Sequence, residues 1–154
     1  MNYFLRILCQ KKIALSPDEV VDFIKDGFFF EPKPQFDIKK QDDFNWEIKV
    51  TYAKEKAPVI ISTSDNDPGS EKAIRNIKFV LDISKASQKK DQIQTLMNTV
   101  QSVYVLEIVQ DEITEDCWEM LDAVEAMLMR LADGILHTSD NDFFDAKLKK
   151  MYKL

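Results

Sequence analysis

The chain has 154 residues, 45% of them apolar and 31% charged, and a formal net charge of -6 at pH 7. That length suits a single domain, 1–154, with a core of its own. The acidic balance argues against nucleic acid as the main ligand, because phosphate contacts need basic side chains. No apolar run approaches the roughly 18 residues of a membrane span, so no membrane partner is expected.

Three glycines, Gly27, Gly69 and Gly134, stand isolated. Loops of the P-loop or dinucleotide type, which cradle phosphate on clustered glycines, are therefore absent. A single histidine, His137, leaves no multi-histidine metal motif. Cys9 and Cys117 make no disulfide framework, and both lie in apolar patterns where a free cysteine behaves as a small buried hydrophobe. The expected compartment is the cytosol. The start, MNYFLRILCQKK, has its basic residues after the apolar patch and no small-residue cleavage site, so it reads as a first strand and not as a signal peptide.

In chain order, residues 2–10 form that strand. Ser16-Pro17-Asp18-Glu19 is a helix start, with Ser16 as N-cap, Pro17 in the first helical position and Glu19 closing a capping box. Gly27 fits the left-handed position that ends such a helix. Phe28–Phe30 predicts a strand, held to an edge or cut short by Pro32 and Pro34. The KKQDD stretch at 39–43 reads as a hairpin loop. FNWEIKVTY then alternates, with Phe44, Trp46, Ile48, Val50 and Tyr52 on one face, the pattern of a half-buried strand. PVIIST follows as its hairpin partner.

After Thr63 the period lengthens to about 3.6. Ala73, Ile74, Ile77, Val80 and Leu81 mark a helix, and Ser87 opens another. VYVLEIV at 103–109 is a central strand, and Thr114 caps the longest helix, near 115–132, which is apolar over most of its circumference. A short strand around Gly134–His137 leads to a last helix, in which Lys147, Lys149, Lys150 and Lys153 leave a net +3 on residues 143–154. The order β-α-β-β-β-α-α-β-α-β-α predicts an α+β domain with a mixed sheet of about six strands and helices packed against it. The segments that start at Phe4 and at Val103 share a strand, a capped helix, Asp-Gly and a second strand, an echo that would place two parallel crossovers in the sheet.

The pentapeptide TSDND occurs twice, at 63–67 and 138–142. Both copies read as a strand handing over to a helix, with Asp67 and Asp142 as N-caps. Were the two strands parallel near neighbours, Asp65, Asp67, Asp140 and Asp142 would converge on one rim, an oxygen-rich set suited to Mg²⁺ or Ca²⁺. The EF-hand pattern of glycine and glutamate is missing from both copies. His137 and Trp46 are further candidate binding residues, His137 beside the second pentapeptide and Trp46 among aromatics that would line an apolar-ligand pocket.

Taken together, these features point to a protein-interaction module without catalysis of its own, of the inhibitor, immunity or regulatory kind, with a protein partner, basic in character, and no cofactor. A divalent-metal protein or metal-dependent enzyme built on the TSDND turns, and a binder of small apolar ligands, are the alternatives. The basic tail on an acidic body also allows a head-to-tail homo-oligomer.

Overall fold

A computed structural model describes residues 2–27, 33–53, 55–64, 68–84 and 87–153, with the backbone alone described at 68–70 and 153. The elements are β1 (Asn2–Cys9), α1 (Pro17–Gly27), β2 (Gln35–Asp42), β3 (Asn45–Thr51), β4 (Val59–Thr63), α2 (Pro68–Ile83), α3 (Gln88–Met97), β5 (Ser102–Val109), α4 (Glu115–Ala132), β6 (Gly134–Thr138), β7 (Asp142–Phe144) and β8 (Lys150–Lys153). A single 3-10 turn, Gln110–Glu112, joins β5 to α4.

The sheet is open and has eight strands in the order β2-β3-β4-β5-β1-β6-β7-β8. Every neighbouring pair is antiparallel. This corrects the expectation of a mixed sheet of about six strands. The crossover read around α4 does exist, since β5 and β6 run the same way, but β1 lies between them and hydrogen-bonds to both. As expected, β5 is central.

Local chemistry explains the helix starts. Ser16 Oγ accepts from Glu19 N at 3.2 Å, Ser87 Oγ from Lys90 N at 3.0 Å, and Thr114 Oγ1 from Cys117 N at 3.2 Å. Each satisfies an amide that the first turn leaves without an intrahelical partner. The helix ends differ from expectation. No described glycine has positive φ, so Gly27 is not a left-handed cap. The left-handed cap that does occur is Asp133, φ 53°, which closes α4 and leaves Gly134 to open β6. A Cβ on Gly134 would stand 3.0 Å from the Leu8 carbonyl oxygen, a contact that requires β6 and β1 to move slightly apart, so their close approach favours glycine there.

Helices cover both faces of the sheet. On one face α1 and α4 bury Leu5, Ile7, Ile48, Val50, Ile61, Leu106 and Leu136 of the strands. On the other, α2 and α3 pack Ile77, Leu81, Ile93 and Met97 against Leu8, Val103, Ile135 and Phe143. The alternation read in β3 is present, with Trp46, Ile48, Val50 and Tyr52 all buried.

Two segments depart from the sequence reading. Residues 39–42 belong to β2, and the chain reverses at Asp43–Phe44, where Asp42 Oδ1 accepts from Phe44 N at 2.8 Å. That side-chain turn competes successfully with the longer loop that the charges suggest. The expected last helix is the hairpin β7–β8: Phe143 faces Tyr152 across it, and Asp145 Oδ1 accepts from Lys147 N at 2.9 Å and Lys149 N at 3.0 Å. Burial of Phe143 in the α2–α3 core outweighs the amphipathic helical pattern of Phe144, Leu148, Met151 and Tyr152. The strand expected at Phe28–Phe30 lies outside the described residues.

Candidate functional site

The two TSDND copies solve different problems. Thr63 lies level with Leu136 across β5 and β1, through Tyr104 and Ile7. Three antiparallel steps separate β4 from β6, so the strands run in opposite senses about 14 Å apart. The first copy leaves the sheet at one end and the second at the other, and the condition for convergence, parallel near-neighbour strands, is not met. Asp65 and Asp67 lie outside the described residues. Asp142 is not a helix cap, because no helix follows it. The second copy is the β6–β7 turn, held by Asn141 N to Thr138 O at 2.9 Å, with Asn141 in the left-handed region at φ 61°. Asp140 accepts from the Tyr3 hydroxyl at 2.9 Å, and Asp142 stands 3.6 Å from Lys150 Nζ. Among the described residues no group of three or more His, Cys, Asp or Glu side chains is placed to hold a metal ion.

Trp46 is a core residue. It is 4% exposed, its indole N–H donates to Leu15 O at 3.0 Å, and its ring is tilted against Tyr104 at 5.9 Å. It still lines a hollow of about 410 Å³ shared with Asn45, Glu47, Thr63 and Ser64.

Another pocket forms along α4. Trp118, Asp122 and Glu125 recur at spacings of four and three, which places them on one stripe of the helix. Opposite that stripe stand Tyr3 and Leu5 of β1, Leu136 and Thr138 of β6, Phe144 of β7, and Leu148 from the β7–β8 turn. Together they enclose about 290 Å³. The walls are mainly aromatic and aliphatic, and the acidic groups come only from α4.

Glu125 is the unusual member. It is 2% exposed, and its Oε1 has no hydrogen-bond partner. A buried carboxylate without a partner is strongly disfavoured. Burial first, and the nearby Asp122 second, raise its pKa to about 8. At pH 7 it is therefore mainly the neutral acid. Asp122, exposed at the rim, is itself raised by partial burial. The pocket holds two carboxyl groups and no described basic side chain in its lining.

Sequence reasoning treated α4 as a packing helix and passed over this residue. The signal was present: Glu125 sits among Leu121, Val124, Leu128 and Met129, all buried, in a stretch where a solvated acid has no place. Both cysteines are buried and unbridged, and burial raises each thiol to about 12, which disfavours the thiolate. No described helix is long and apolar enough to cross a membrane.

The chain matches no protein-family model, no curated protein and no solved structure at a significant level.

Proposed function

We propose that this is a non-catalytic interaction protein that seats a basic side chain of a protein partner in the α4 pocket. The observation that carries the reading is Glu125, a buried carboxyl with an unpartnered oxygen, set beside Asp122 among aromatic walls. A lysine ammonium seated there would draw off the Glu125 proton and pair with the carboxylate. Its methylene stem suits Leu5, Leu136 and Leu148, its charge suits the two carboxyls, and Trp118, Tyr3 and Phe144 add ring faces. The net charge of -6 favours approach of a basic surface. Two buried, unbridged thiols are compatible with a reducing compartment such as the cytosol.

The test is calorimetric titration with Nα-acetyl-lysine amide, using the neutral norleucine analogue as control. Saturable binding of the lysine compound, absent for norleucine and weakened at least tenfold in Glu125→Gln, supports the reading. Equal binding of the two compounds, or an undiminished affinity in Glu125→Gln, rejects it.

A further inference from the structure

On the opposite face of the sheet, a second polar cavity has the reverse electrostatic character. Arg6 of β1 lies directly across from His137 of β6. The Arg6 guanidinium is half-buried and 5.0 Å from the Phe4 ring centre, and among the described residues it has no carboxylate within ion-pair distance. His137 is 3% exposed; its Nε2 lies 3.1 Å from Asn141 Oδ1, while its Nδ1 is buried with no hydrogen-bond partner. The Phe143 ring, 5.0 Å away, fixes the imidazole from one side. Ala73, Asn76, Ile77 and Val80 of α2 form the far wall, and Ser139 and Asn141 the rim, of a cavity of about 340 Å³.

Two buried or half-buried groups here lack partners of opposite kinds: the guanidinium has no acceptor among the described residues, and the imidazole, with its Nε2–H given to Asn141, holds Nδ1 as an acceptor without a donor until it is protonated. The guanidinium offers planar donors without an acceptor. The imidazole holds one nitrogen without any partner, a costly state in a buried site. We propose that this cavity binds a small oxyanion, a phosphate or carboxylate group, between Arg6 and His137. One anion oxygen takes the guanidinium N–H groups and a second faces Nδ1, which accepts a proton from solvent as the anion binds and donates it as an N–H hydrogen bond. Asp142 is the nearby acid that acts on His137, and Lys150 stands beside it at 3.6 Å. The cavity wall from α2 carries no titratable side chain. The proposal is independent of the α4 pocket, which lies across the sheet.

Because the chain has one histidine, its imidazole resonances report this site alone. The experiment titrates the full chain with inorganic phosphate and, separately, with acetate, at constant ionic strength set by chloride. The expected result is a saturable movement of the His137 signals with at least one of the two anions, accompanied by a rise in its pKa. Response to phosphate alone identifies a phosphate site, and response to acetate alone a carboxylate site. Arg6→Gln should weaken the response at least tenfold, and Arg6→Lys should retain part of it. Absence of any response beyond the chloride control in the wild type overturns the proposal, as does an unchanged response in folded Arg6→Gln.

Discussion

Glu125 follows Asp122 by one helical turn on α4, and the two carboxyl groups open into the same pocket. The inner one is buried and unpaired, and the outer one is exposed at the rim. Burial, and after it the neighbouring Asp122 charge, make the inner group hold its proton. That arrangement carries a cost in stability.

The cost has a definite pH window. Glu125 is raised from 4.5 to about 8 in the folded chain. A raised folded pKa means that the folded state retains a proton the unfolded state has lost. The stability present below pH 4.5 is therefore lost as pH rises toward 8, by about 5 kcal/mol in total. Glu125→Gln, which keeps the shape and removes the titration, should flatten this slope and raise the midpoint of chemical denaturation at pH 8.5. Denaturation curves from pH 5 to 9 for both proteins check it.

His137 titrates in the opposite sense. Burial, and then the charge of Arg6, lower its pKa from 6.5 to about 4, while Asn141 and Asp142 pull it upward. A depressed folded pKa contributes stability above pH 6.5 that is lost as pH falls through 4, about 3 kcal/mol here. His137→Gln should remove much of the acid sensitivity between these limits. Stability measured at pH 6.5 and at pH 4 compares the two directly.

Divalent ions should leave thermal stability unchanged. The strands that lead into the two TSDND copies end at opposite sides of the sheet, and Asp140 is engaged by Tyr3 at 2.9 Å. Asp140→Asn should cost about 1 kcal/mol or less through that exposed hydrogen bond. The cost should be the same in EDTA and in millimolar Mg²⁺ or Ca²⁺. A Tm rise in the wild type that the mutant lacks would restore a metal-binding reading.

Gly134→Ala tests the packing of β6 on β1. The added methyl meets the Leu8 carbonyl oxygen at 3.0 Å and Ile7 Cγ2 at 3.1 Å. Backbone oxygen cannot move aside as a flexible side chain can, so the substitution should destabilise by roughly 1–3 kcal/mol. Urea denaturation at pH 7 provides the value.

Features set by neighbouring residues were legible in the sequence. Ser16, Ser87 and Thr114 cap the helices they were expected to cap, because capping involves only the next three residues. The alternation from Trp46 to Tyr52 and the helical period after residue 68 were also local. Strand direction was not, since β1 separates β5 from β6 through contacts between residues far apart along the chain, such as Asn2 with Val109 and Leu5 with Thr138. The C-terminal segment misled because Phe144, Leu148, Met151 and Tyr152 fall on one face of a helix drawn through it, whereas Phe143 is held in a core made by α2 and α3. Of the expected site residues, His137 lines one polar cavity, and Trp46, though packed in the core, lines another with Thr63 and Ser64. Glu125 and Arg6 were missed for one reason: each is a charged residue in a mainly apolar stretch, and the packed structure is what shows Glu125 Oε1 without a hydrogen-bond partner and the Arg6 guanidinium set beside the Phe4 ring.

The most direct measurement is the number of protons released when Nα-acetyl-lysine amide saturates the protein at pH 7, from calorimetry in two buffers of different ionisation enthalpy. A cation beside Glu125 favours its carboxylate, so a group with a pKa of about 8 in the free protein should release about one proton on binding. Affinity should accordingly rise from pH 6 to pH 8.5, and Glu125→Gln should release none. Binding without proton release, or release that persists in Glu125→Gln, would contradict the account.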